Sequence, residues 1–175
     1  MKKKIIFPIC YILGFILITF GTYALLADMA SKNNTLSAGG SNIHIEEDFV
    51  PPEKIEAGTN FKKDIQIQND GPSDCFVRVK VVFTDSDMEK FCTFTDLNTT
   101  DWIYNPTDNW YYYTKSLEKD ELTSSLFTNV AISNTLEDYQ IKDFDILVYA
   151  ESFQAYGFDN YQDAWEEFVK NKPNN

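Results

Sequence analysis

The chain reads as an all-β sandwich or barrel that ends in one helix and follows an export segment. Three observations carry this reading. Short runs of residues alternate apolar with polar, and turn-forming clusters separate them. Helical spacing of apolar residues is clear only at the C-terminus. At the other end, the 22 residues from Ile5 to Leu26 carry no charge and follow Lys2, Lys3 and Lys4.

A basic start, an apolar stretch and a small-residue exit make a secretory signal peptide. Thr22 and Ala24 supply the exit, so residues 1–24 are the predicted signal, with cleavage between Ala24 and Ala27. The alternative is a retained anchor, since about 20 apolar residues span a bilayer. Pro8, Gly14, Gly21 and Thr22 dilute the stretch and argue for cleavage. Cys10 lies inside it, without the small residues that precede a lipid-bearing cysteine, and reads as an incidental apolar residue.

Residues 25–40 are small and polar and end in Gly39-Gly40; they read as an extended N-terminal segment. The sandwich is predicted over 41–157. Ile43 and Ile45 alternate with polar neighbours, as do Ile65 and Ile67. The cluster Asn69-Asp70-Gly71-Pro72-Ser73 breaks the chain. The clearest strand follows: Cys75, Val77, Val79, Val81 and Phe83 share one face. Arg78 and Lys80 fall on the other and are expected to stay in water. Asp85 to Lys90 reads as a charged loop, and Phe91 to Phe94 as a resumed strand. Trp102-Ile103-Tyr104 and Trp110 to Tyr113 flank a five-residue turn and predict a hairpin. Leu126 to Ile132 and Phe144 to Phe153 supply two more strands. A helix is predicted over 158–170, capped by Asp159 with Gln162 three residues on. Tyr161, Ala164, Trp165 and Phe168 share its apolar face. Residues 171–175 form a polar tail.

Composition limits the function. Without the signal the chain keeps 151 residues, enough for one domain with a proper core. Its formal charge moves from −12 to −15, because three lysines leave with the signal. Such a chain repels nucleic acid and anionic headgroups, so no nucleic-acid partner is expected, and membrane contact only through the N-terminal segment before cleavage. With His44 the only histidine and Arg78 the only arginine, most catalytic constellations are unavailable. No Ser/His/Asp set, Cys/His pair or phosphate-cradling glycine loop is present, and no cofactor is expected.

Four features bear on chemistry. His44-x-Glu46-Glu47-Asp48 offers metal-ligand types, but a zinc peptidase needs three placed ligands and a general base, and His44 reads as a surface residue on a strand. Asp85-x-Asp87-x-Glu89 begins like a calcium loop and then fails: Lys90 stands where glycine is needed, and Asp96 where glutamate is. These three residues are weak metal candidates against the simpler reading of a solvated turn. Trp110, Tyr111, Tyr112 and Tyr113 are a candidate aromatic surface for polysaccharide; alternation puts Trp110 and Tyr112 on one face and Tyr111 and Tyr113 on the other, and core packing is the stronger reading. Export permits a disulfide between Cys75 and Cys92, while two free buried thiols suit a core that needs no staple.

Several segments resemble the TasA/camelysin family, whose members carry an alternate signal peptide cut by a dedicated signal peptidase. The likeness begins at the signal exit, Gly21-Thr22-Tyr23-Ala24, then Asp28, Ser31-Lys32 and Thr35-Leu36-Ser37-Ala38-Gly39. It continues through Gly58, Lys63, Ile65, Ile67, Asn69, Gly71 and Val77-Arg78-Val79. It extends through Trp102 and Trp110–Tyr113, Leu117, Glu121-Leu122-Thr123, Leu126-Phe127, then Val148 to Ala155 and Ala164-Trp165, as in the smaller alternate signal-mediated exported proteins. Lys119-Asp120 replaces the family's Pro-Gly, and Cys75 stands where Ala or Pro is usual.

The resemblance implies a jelly-roll-like antiparallel β-sandwich and a secreted structural role at a Gram-positive-type cell surface or in an extracellular biofilm matrix. Its better-studied members build fibres in which the freed N-terminal segment of one subunit joins the next as a strand. The matching segment here is Leu25 to Ser37, with Leu25, Leu26, Met29 and Leu36 as its apolar residues; a disordered spacer is the alternative. Expected partners are further copies of the chain or related matrix proteins, and a signal peptidase for processing. A monomeric exported module binding a surface glycan or protein is the second reading. The metallopeptidase label of camelysin-type relatives is a remote third, so no enzymatic activity is expected.

Overall fold

The computed structural model describes residues 33–37, as backbone, and 42–171. The predicted signal, most of the segment that follows it and the last four residues lie outside them. Among the described residues nine strands form two sheets: β1 Asn33–Ser37, β2 Ile43–Phe49, β3 Asn60–Asn69, β4 Cys75–Phe83, β5 Cys92–Thr95, β6 Trp102–Asn105, β7 Trp110–Tyr113, β8 Asn129–Ile132 and β9 Ile146–Gln154. One sheet runs β1-β9-β4-β7-β6 and the other β2-β3-β8-β5. The chain crosses between sheets at β1–β2, β3–β4, β4–β5, β5–β6, β7–β8 and β8–β9, as in a jelly roll. The fold is the expected all-β sandwich with a C-terminal helix.

Alternation explains the core. Ile43 and Ile45 of β2, Phe61, Ile65 and Ile67 of β3, and Val77 and Val79 of β4 turn inward and are buried, with Val130 and Ile132 of β8 and Val148 and Ala150 of β9. The turn between β2 and β3 needs Gly58: its φ is 79°, and the Asn134 side chain fills the space a Cβ would take. β6 and β7 form the predicted hairpin, with Asn105 paired to Trp110, so the turn is one residue shorter than expected.

Two local expectations are corrected. Ser86–Glu89 is a short helix, α1, rather than a loop. Asp85 caps it by accepting from the Asp87 and Met88 amides, each at 2.9 Å, while Met88 turns into the core. The C-terminal helix, α2, spans Tyr161–Asn171. Asn160 rather than Asp159 caps it, its Oδ1 accepting from the Asp163 amide at 3.0 Å. Either residue type can cap, so the sequence leaves a one-residue ambiguity.

α2 lies on the outer face of the five-stranded sheet. There Ala164 and Trp165 pack with Phe76, Tyr112, Phe153 and Phe168 in a second apolar cluster. The sandwich is thus three layers deep at this end.

Candidate assembly site

β9 pairs with β4 along all nine of its residues, Ile146 opposite Phe83 through Gln154 opposite Cys75. Its other edge receives β1, in register from Asn33 opposite Val148 to Ser37 opposite Ser152. This is a parallel pairing, whereas the other strand pairings described are antiparallel. Without β1, a long and largely apolar strand, Ile-Leu-Val-Tyr-Ala-Glu-Ser-Phe-Gln, would present an open row of amides and carbonyls. Such an edge is a template for another strand.

β1 is short, five residues on a nine-residue edge. Each main-chain hydrogen bond contributes about 0.5–1.5 kcal/mol net. Fixing each residue's backbone costs about 1–2 kcal/mol. Over a five-residue strand main-chain bonding alone does not outweigh the ordering cost. Between β1 and β2 the sequence is Ala38-Gly39-Gly40-Ser41, which lies outside the described residues. Beyond it the chain is pinned. The Asn42 carbonyl accepts from the Asp70 amide at 2.9 Å. His44 is bridged through Nδ1 to the Asp70 carboxylate and through Nε2 to Glu46 Oε1, the latter at 2.8 Å. The hydrogen bonds to Glu46 and then Asp70 raise the His44 pKa above its usual value. This clamp fixes where the N-terminal segment leaves the sandwich.

Of the predicted assembly residues, Leu36 stands in β1 opposite Glu151. Leu25, Leu26 and Met29 lie outside the described residues. Asp85, besides capping α1, sits 3.4 Å from Lys142. Asp87 pairs with Lys142 at 2.8 Å and Lys90 at 2.9 Å, and these lysines lower its pKa to about 2. Glu89 shares the same short helix. Cys75 and Cys92 are free thiols. Eight strand steps, roughly 26 Å, separate Cys75 from Phe83. It is Phe83 that stacks on Phe94, two residues from Cys92. The thiols therefore sit toward opposite ends of the sandwich, beyond a disulfide's reach. The aromatic run alternates as predicted and is packed on both faces: Tyr113 lies against Trp102 in the core, while Trp110 and Tyr112 join the cluster under α2.

One site escaped the sequence reading. Arg78, expected in water, is 4% exposed. Its Nε donates to Glu151 Oε2 at 2.9 Å, its Nη2 reaches the same carboxylate, and its Nη1 donates to the Tyr112 hydroxyl at 3.0 Å. Its guanidinium lies 4.5 Å from the Trp110 ring and 4.3 Å from the Trp165 ring. A flat, weakly hydrated cation suits such stacking where an ammonium does not. The available signal was a lone arginine beside Phe76, with a lone acid in apolar β9 and a helix carrying Trp165 and Phe168.

A family profile described as camelysin metallo-endopeptidase matches residues 1–105. The chain belongs to the TasA/camelysin family. Comparison with curated proteins and with solved structures returns no match. Members of the TasA/camelysin family are generally exported proteins. The metal in the profile's description does not fit the residues described. A ligating imidazole must be neutral with a free lone pair. Both His44 nitrogens are instead engaged by carboxylates that favour its protonation. Among the described residues, no group of three or more His, Cys, Asp and Glu is arranged to hold a metal.

Proposed function

We propose that this TasA/camelysin member is a non-enzymatic structural protein of the cell surface or extracellular matrix. Its copies join through the N-terminal segment, a freed strand of one chain completing the β9 edge of the next. The observation that carries the reading is β1 itself: a short parallel strand from the N-terminal segment, on the edge that any second copy would need. The export segment fits the same scheme. While residues 1–24 are attached, the membrane holds the start of the strand, and cleavage releases it.

The test is deletion of residues 25–37 from the secreted chain, followed by light scattering and electron microscopy over a concentration series. The full chain is expected to assemble above a threshold concentration, and the deleted chain to remain unassembled or to aggregate without order. A deleted chain forming the same ordered assemblies at the same threshold would sink the proposal. Mass spectrometry of the exported protein's N-terminus fixes where the strand begins; a retained residue 1 would contradict release by cleavage.

A further inference from the structure

α2 covers only one end of the outer face of the five-stranded sheet, over Phe76, Arg78 and Phe153. Further along β4 and β9, Lys80, Val82, Leu147 and Tyr149 stay partly open to solvent. Alternation puts all four on that face, with Lys80 opposite Tyr149 and Val82 opposite Leu147. A groove of about 290 Å³ lies there, lined by Lys80, Val82, Trp110, Tyr149, Ala150 and Glu151. It is smaller than ordinary small-molecule sites and has room for one or two side chains.

Of the two charged groups in the lining, Glu151 is matched by Arg78 and Lys80 is not. The Lys80 Nζ donates to the Asp108 carbonyl at 3.3 Å and lies 6.0 Å from the Trp110 ring. Among the described residues no carboxylate pairs with it. This is so in a chain with 27 acidic residues against 15 basic ones. Position indicates what meets it. Lys80, Tyr149 and Asn34 stand in one row across β4, β9 and β1. Lys80 is thus two strand spacings, about 10 Å, from the strand at the edge. Residues 25–32 lead into β1, and Asp28 is the only acid before Glu46. Asp28 precedes Asn34 by six residues, a reach of up to about 20 Å. That is enough to turn back at the edge and cross to Lys80. Asp28 and Met29 also survive every predicted cleavage between Ala24 and Ala27.

We propose that this groove receives the leader of a second copy's strand. When that copy's segment fills the β9 edge, its Asp28 pairs with Lys80 and its Met29 packs against Val82 and Tyr149. The contact rests on the strand donation proposed above and supplies its selectivity. Main-chain pairing accepts almost any extended segment, so side-chain sockets must choose among them. An acid on an unmatched cation, beside an apolar contact, favours this leader over others. It also gives two chains of the same net sign one attractive contact where they meet.

The test follows ordered assembly of the secreted chain over a concentration series. Asp28→Lys and Lys80→Glu should each raise the threshold concentration about fivefold to tenfold. The double variant, which reverses the pair, should return to within about twofold of wild type. If Lys80→Glu fails to fold by circular dichroism, Lys80→Gln and Asp28→Asn take over. Each should then raise the threshold about twofold to threefold, and both together no more than either alone. Unchanged thresholds in the single variants, or a reversed pair no better than they are, would overturn the proposal. A loss with Lys80→Glu but not with Asp28→Lys would assign the groove to another acidic partner and overturn it equally. Deleting residues 25–32 while keeping 33–37 separates the groove contact from strand donation. The threshold should rise at least about fivefold, while cysteines placed by Asn34→Cys and Tyr149→Cys still link neighbouring chains after assembly. Links between chains at the wild-type threshold would sink the groove contact alone; ordered assemblies of the undeleted chain without such links would sink strand donation and the groove contact with it.

Discussion

Arg78 is the residue whose removal the structure penalises most clearly. Its guanidinium holds two bonds to a buried carboxylate and one to Tyr112, between two indole rings. Arg78→Ala takes the counter-charge from Glu151, whose side chain is 7% exposed. Breaking a buried pair from one side costs about 3–5 kcal/mol, and the lost ring contacts add to it. A domain of this size has about 5–15 kcal/mol in all. The melting temperature should therefore fall by roughly 8–16 °C. The loss should appear as a lower urea midpoint and a weaker near-ultraviolet signal from Trp110 and Trp165. The double variant Arg78→Met/Glu151→Leu removes both charges and should recover much of the loss, because a paired buried charge and an apolar replacement are close in stability. A single variant within about 1 kcal/mol of wild type, or a double variant worse than the single, would refute the reading of Arg78 and Glu151 as a buried, mutually compensating pair.

Two further predictions concern titrating groups. The raised His44 pKa means that its stabilising clamp is complete below the unfolded value near 6.5 and is lost as pH rises through the folded value. The urea-midpoint advantage of wild type over His44→Gln should be present at about pH 5.5 and absent by about pH 8.5, and stay below about 1 kcal/mol because the pair is solvent-exposed; an advantage that grows with pH would contradict the clamp. Burial pushes the thiol of Cys75 up to about 12 and that of Cys92 up to about 11. Neither should react with a thiol reagent at neutral pH until the protein unfolds, when both should; fast labelling in the native state would contradict their placement.

The inward faces of β2, β3 and β4 were legible because strict alternation leaves one buried set per strand, as Ile65 and Ile67 demonstrate. The hairpin and the helix face were legible for similar reasons. What lay beyond reach was the outer face of the five-stranded sheet. Phe76, Arg78 and Lys80 alternate there as a half-wet face would, and only the return of α2 from more than 80 residues away buries Arg78. Local pattern cannot register a cover that arrives by tertiary contact. The assembly segment was named from its sequence and its family likeness, but its pairing with β9 was not. Asn33–Ser37 has no alternation to read, and its placement depends on which edge the finished sandwich leaves open.

The central claim, that the β9 edge takes an N-terminal strand from a neighbouring chain, is tested most directly by cross-linking. Asn34 and Tyr149 are register partners across β1 and β9. Adjacent strands lie about 4.8 Å apart, within disulfide reach. Cysteines placed by Asn34→Cys and Tyr149→Cys, oxidised gently before and after assembly, report whose strand fills the edge on a non-reducing gel. The account predicts a bridge within one chain in dilute monomer and a ladder of linked chains after assembly. Ordered assemblies in which every such engineered bridge remains within a single chain would contradict it.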